Sequence, residues 1–139
     1  MRSEGSLRQN KLLWIFVLAY AAASLLHYAH NAAFLSAYPN LPHWLGRTQV
    51  WLAWVALTAV GACAVLLTRS RSQVGGLIML AVYALFGFDG LGHYVAAPLS
   101  AHTLAMNLTI CLEVVTAALL LAAVAREVRR QLRFAIDVE

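Results

Sequence analysis

Apolar residues occur in four long runs along the chain, separated by short segments that hold most of the charged and turn-forming residues. Each run is long enough to cross a hydrocarbon layer as a helix, which takes about 20 residues. Because the connections are short, consecutive helices should be antiparallel neighbours. The pattern therefore predicts an all-α integral membrane protein, a four-transmembrane-helix bundle with up-down-up-down topology. The predicted spans are residues 11–35, 48–68, 74–95 and 102–125, within a single transmembrane domain covering residues 1–139.

Composition supports this interpretation. Apolar residues make up 62% of the 139 positions, charged residues only 12%, and the mean hydropathy is +0.72. An ordinary soluble domain carries about 25% charged residues. These values exclude a typical soluble enzyme and leave little chain for a second domain.

The cations are distributed asymmetrically about the predicted spans. Nine of the ten Lys and Arg residues lie on one side, and only Arg47 lies on the other. Cytoplasmic loops are enriched in Lys and Arg, so both termini should be cytoplasmic, as in a protein of the bacterial inner membrane. The net charge of +4 then reports topology and contact with anionic lipid, and nucleic-acid binding is not expected. The nine cations are Arg2, Arg8, Lys11, Arg69, Arg71, Arg126, Arg129, Arg130 and Arg133.

The second apolar run has no ionisable residue between Val50 and Leu67, which is typical of a scaffold helix. The two cysteines, Cys63 and Cys111, fall at different predicted depths, so a disulfide is not expected. We interpret both as small buried packing residues.

The first and fourth predicted helices each carry one polar stripe. Its members recur at spacings of three and four residues, which places them on a single helical face. Lipid offers such a stripe no partners, so the two stripes should face each other. The first stripe comprises Tyr20, Ser24, His27 and Asn31, and His30 stands about 60° from His27 by helical geometry. The other stripe comprises His102, Met106, Thr109, Glu113 and Thr116.

The third predicted helix contributes Asp89 and His93, which would lie one turn apart on the same face of a continuous helix. They sit among the glycines of residues 87–92, which allow close helix packing or a local break. An ionisable side chain at hydrocarbon depth costs on the order of 3 kcal/mol, so these groups should have partners and a role. The helix spacing therefore predicts one polar site toward the outer face.

A divalent transition metal, zinc or iron, is the first interpretation of this site. Its predicted ligands are His27, His30, Asp89 and His93, because imidazole and carboxylate are the usual donors for these metals. Glu113 would be the catalytic acid or base acting on a metal-bound water. This describes a metal-dependent membrane hydrolase or oxidoreductase acting on a lipophilic small molecule or lipid head group. Residues lining the cavity or supporting the ligands would be Asn31, Tyr20, Ser24, His102 and Thr109.

Other interpretations stay open on the sequence. A b-type haem held by histidines of the first and third helices, or a bound quinone, would indicate a redox subunit. Metal-free acid–base chemistry would exchange a proton between Glu113 and His27. The chain could also serve as an accessory subunit that packs against other membrane proteins. In that case the buried polar groups only fix helix packing, Asp89 and His93 form a structural pair, and His43 and His102 are interfacial residues.

Overall fold

The computed structural model describes residues 10–70 and 72–136, which consist of helices and connecting turns. The α-helices are α1 (Lys11–Ala33), α2 (Arg47–Arg69), α3 (Gln73–Phe86), α4 (Gly92–Ala96) and α5 (Leu104–Ile136). Short 3₁₀ turns occupy Leu35–Ala37, Asp89–Leu91 and Leu99–Ala101. Of the predicted cytoplasmic cations, Arg2, Arg8 and Arg71 lie outside the described residues.

Four helices of the described chain are long and apolar enough to cross a membrane, which confirms the predicted helical bundle. They are Lys11–Ala33, Arg47–Arg69, Gln73–Ala96 and Leu104–Arg133. The first three lie within two residues of the predicted spans. The last helix runs well past the predicted end at residue 125, because the Arg-rich segment continues it. Membrane insertion, orientation and the single transmembrane domain stay predictions.

The helices form a ring in which α1 and α3 each pack against both α2 and α5. At one end the Arg69 guanidinium lies over the Trp14 ring, with its carbon 5.5 Å from the ring centroid. Lys11 begins α1 and Arg69 ends α2, so we call this the basic end. The other end, where His30 and His93 lie, we call the histidine end.

The apolar core occupies the half of the bundle nearer the basic end. Its fully buried members include Leu13, Leu77, Leu80 and Leu120 of α1, α3 and α5, together with Ala64 of α2. The side chains on the outside of the helices are largely apolar, for example Leu18 and Leu66, which are 70% and 67% exposed. Such an exterior suits contact with lipid rather than water.

Helix α2 is the least buried of the four long helices. Its buried residues are Val50, Gly61, Ala64 and Thr68. Cys63 on α2 and Cys111 on α5 are both exposed free thiols, so the interpretation of these cysteines as buried packing residues is wrong. Each occupies an outward position of its helix, and the Cys111 thiol contacts the Tyr94 side chain.

The third span breaks after Phe86, where α3 gives way to the Asp89–Leu91 turn and then to α4. Gly87 stands at the break because two other helices come very close to it. A Cβ atom at Gly87 would lie 2.5 Å from Cβ of Ala117 and 2.6 Å from Cε2 of Tyr20. Both properties predicted for the glycine segment, close packing and a break, therefore occur at this point.

Candidate functional site

Two titratable side chains meet in the interior between α1 and α5. His27 Nε2 lies 3.7 Å from Glu113 Oε2, and each residue is only 2% exposed. Ser24, one turn before His27, places its hydroxyl in hydrogen-bonding contact with the Glu113 carboxyl. Gly90 of the broken third span faces the same carboxyl, since a Cβ there would lie 3.4 Å from Oε2. The polar stripes predicted for the first and last helices thus do face each other, and we call this couple the His27–Glu113 pair.

Asn31 links this pair to the third span. Its side-chain Nδ2 lies 3.0 Å from His27 Nε2 and 3.3 Å from His93 Nε2. The two imidazole rings are 5.4 Å apart between centroids and nearly perpendicular. An amide NH2 carries two donors, so one carboxamide satisfies two imidazole lone pairs.

Tyr38 extends the network toward the surface of the histidine end. Its ring is 4% exposed and lies 4.9 Å, between centroids, from the His93 ring. Its hydroxyl lies 2.8 Å from His30 Nδ1. Burial raises the pKa of Tyr38 to about 12, so at neutral pH the hydroxyl is protonated and can either donate to this nitrogen or accept from it. His30 is thereby held by Tyr38 rather than by the His27–Glu113 pair.

His102 lies at the histidine end, two residues before the start of α5. Its Nδ1 donates to the Pro98 carbonyl oxygen at 3.1 Å, which leaves a lone pair on Nε2. Its ring lies 6.1 Å from that of His93 and 5.5 Å from that of Tyr94. Thr109, the other predicted supporting residue on α5, donates its hydroxyl to the Met106 carbonyl oxygen at 3.0 Å.

The four predicted metal ligands do not converge. His27 and His93 share Asn31, but His30 turns to Tyr38 and Asp89 is exposed. Asp89 starts a 3₁₀ turn and is exposed, whereas His93 in α4 is half-buried. Residues 10–70 and 72–136 contain no group of three or more His, Cys, Asp or Glu side chains placed to hold a metal ion.

Several buried polar atoms in this network have no hydrogen-bond partner among the described residues. They are His27 Nδ1, Asn31 Oδ1 and His102 Nε2, together with the Tyr20 hydroxyl farther along α1. Each such atom costs about 1–3 kcal/mol if it stays unpaired. The Tyr20 ring itself belongs to the core, 4.7 Å from the Tyr83 ring. The other three atoms mark positions where a polar group of a bound molecule would be stabilised.

A second buried acid, Glu127, lies at the basic end and was not among the sequence predictions. It is 2% exposed, accepts a hydrogen bond from Asn10 Nδ2 at 3.0 Å and one from Arg130 Nε at 3.1 Å. Asn10 also caps α1, since its Oδ1 accepts from the Leu13 amide at 3.2 Å. Two sequence signals were available: an asparagine directly before a helix, and an acid three residues before an arginine.

Taken together, the histidine end holds a buried acid beside an imidazole, a carboxamide that contacts two imidazoles, and a buried tyrosine bonded to a third imidazole. This chemistry suits the transfer of a proton over a short distance in a dry environment. Comparison of the chain with protein-family models, with curated proteins and with solved structures finds no match.

Proposed function

We propose that the chain is a bacterial inner-membrane protein with both termini in the cytoplasm, and that the His27–Glu113 pair is its general acid–base centre. The pair gives a proton to, or takes one from, a lipophilic small molecule that reaches the outer half of the bundle through the lipid. The observation that carries the proposal is the separation of 3.7 Å between the two groups, each of them 98% shielded from solvent.

The orientation rests on the cations. The described residues place Lys11, Arg69 and the Arg126 to Arg133 segment at the basic end, and Arg47 at the other. Since cytoplasmic flanks are enriched in Lys and Arg, the basic end belongs in the cytoplasm. The histidine end then lies in the outer half of the membrane.

The surroundings of the pair favour reaction over a purely structural bond. At 3.7 Å the carboxyl and the imidazole are separated by more than a hydrogen bond, which is at most about 3.2 Å long. His27 Nε2 is already bonded by Asn31, and its Nδ1 has no partner in the described chain. Ser24 contacts the carboxyl and Asn31 contacts the imidazole. These groups hold the pair close without a hydrogen bond between its two members.

An experiment that does not require the substrate to be known in advance tests this proposal. Purified protein in vesicles of bacterial lipid extract is incubated in water labelled with deuterium and heavy oxygen, and the lipophilic fraction is analysed by mass spectrometry. Proton exchange at carbon adds deuterium, and hydrolysis adds heavy oxygen. A general acid or base contributes about 10²–10⁴-fold in rate, so we expect Glu113→Gln and His27→Gln to reduce labelling by at least that range.

Glu127→Gln is the matched control, because Glu127 is equally buried but lies at the basic end. It should label at the wild-type rate as long as the protein remains folded. Equal labelling by wild type and Glu113→Gln would contradict the proposal. Infrared spectra give a second test: the carboxyl band assigned to Glu113 should shift in His27→Phe, and an unchanged band would show that the two groups do not share a proton.

The metal and haem interpretations of the sequence stay predictions, and the same preparations test them. Elemental analysis of the purified protein would detect zinc or iron. An absorption spectrum would reveal a Soret band if haem b were bound. Co-purifying membrane proteins would indicate the accessory-subunit role.

A further inference from the structure

A surface groove opens at the histidine end, beside the network but separate from the His27–Glu113 pair. It has a volume of about 530 Å³, within the range of small-molecule sites. The chain between α1 and α2 forms it. Its lining residues are Leu35, Ser36, Tyr38, Asn40, Leu41, Pro42, His43, Leu45 and Arg47.

The charge on the groove walls has one sign. Arg47 and His43 line it, and no acidic residue does. The ion pairs within residues 10–70 and 72–136 are His27–Glu113 and Arg130–Glu127, so Arg47 is not paired there. An arginine binds carboxylate or phosphate through two parallel N–H groups. The groove is therefore complementary to a single anionic group.

The remaining walls hold three leucines and Pro42 beside the polar side chains of Ser36 and Asn40, and they lie next to Trp44. Leu35, Leu41 and Leu45 are half-buried on the groove wall. Trp44 lies between two lining residues and is 71% exposed. Tryptophan of this kind is enriched where a membrane meets water. A molecule in this groove would therefore have its charged head at Arg47 and its chain among leucines at the level of the lipid surface.

We infer that this groove binds an anionic amphiphile, a carboxylate or phosphate head on a hydrocarbon chain. Arg47 and His43 contact the head, and the three leucines contact the first carbons of the chain. Tyr38 forms part of the wall and bonds His30, so the occupied groove borders the buried network directly. The inference does not depend on the proposed acid–base function, because no group of the His27–Glu113 pair lines the groove.

Equilibrium binding of radiolabelled oleate to the full chain in a neutral detergent tests the inference. Oleyl alcohol provides the same chain without the charge, while butyrate and inorganic phosphate provide a charge without the chain. We expect one oleate per chain, with oleyl alcohol and the Arg47→Gln variant each at least tenfold weaker, the equivalent of about 1.4 kcal/mol. Butyrate and phosphate should not displace oleate at equal concentration.

Arg126→Gln is the matched control, since Arg126 is also exposed but lies at the basic end, and it should bind oleate as the wild type does. His43→Gln provides a second variant in the groove and should also weaken oleate binding. Equal affinity for oleate and oleyl alcohol would overturn the inference. Displacement of oleate by phosphate alone would do so too, as would unchanged binding in both groove variants.

Discussion

The two ends of the bundle each bury a glutamate to the same extent but surround it differently. At the basic end Glu127 accepts bonds from Asn10 and from the guanidinium of Arg130, a side chain that is always charged. At the histidine end Glu113 has Ser24 and the titratable imidazole of His27. A guanidinium does not release its proton in proteins, whereas an imidazole can take up and release one near neutral pH. Burial alone therefore does not show whether an acid is structural or able to exchange a proton. The side chains that contact the carboxyl group make that difference.

The largest effect that we expect comes from the contact separating the two ends. Gly87→Val would place a side chain against Tyr20 and Ala117, where even a Cβ lies 2.5 Å from its neighbour. Overpacking of this kind costs about 1–3 kcal/mol or more. Unfolding in detergent, followed by intrinsic fluorescence, should show the loss. Gly92→Ala is the control, because nothing lies within 4 Å of a Cβ there, and equal stability of both variants would contradict the close packing.

The contrast between the two glutamates predicts opposite changes in stability. Glu127→Leu removes the partner of a guanidinium and of an amide, so we expect a loss of about 2 kcal/mol. Glu113→Leu removes a polar group from an interior next to Ile110 and Val114, and should be neutral or stabilising by about 1 kcal/mol while the proposed activity disappears. Denaturant unfolding of the two variants measures both changes. Equal destabilisation would mean that Glu113 is also structural.

Asn10→Ala sharpens the comparison at the basic end. It removes both the cap of α1 and the bond to Glu127, and loss of a cap typically costs about 1 kcal/mol. In a double-mutant cycle with Glu127→Gln, the two losses should be less than additive because they share one hydrogen bond. Strict additivity would show that the two groups act independently.

Tyr38→Phe should have the smallest effect of the four. The ring contact with His93 is kept, and only the hydroxyl bond to His30 is lost, which is worth about 1 kcal/mol. Nitrogen chemical shifts of labelled histidine should change more at His30, whose Nδ1 is bonded to the hydroxyl, than at His43. A change at neither residue would exclude the bond.

Much of the fold followed from the sequence because long apolar runs and short connections permit few arrangements. The stripes of α1 and α5 were also informative, since their three- and four-residue spacing correctly brought His27 and Asn31 opposite Glu113. The break of the third helix at Asp89 and the exposure of its side chain were not predicted, because a 3₁₀ turn within an apolar run leaves no distinct periodic signal. A continuous helix was assumed, and it aligned Asp89 with His93.

Two residues with buried polar groups, Tyr38 and Glu127, were not predicted, for a different reason. Tyr38 follows the end of α1, and only the reversal of the chain after the turn returns its ring to His93. Glu127 lies two residues past the predicted end of the last span, in a segment whose arginines suggested a solvated flank. Both positions depend on tertiary contacts, about which helical periodicity carries no information.

The close packing at Gly87 has an electrical consequence. It joins three helices at the level where the polar network ends and the apolar core begins, so we expect it to block a path for water and ions toward the basic end. In the proposed orientation, protons that reach Glu113 must return to the same compartment from which they came. Turnover at this site would therefore move no net current across the bilayer and would leave the membrane voltage intact.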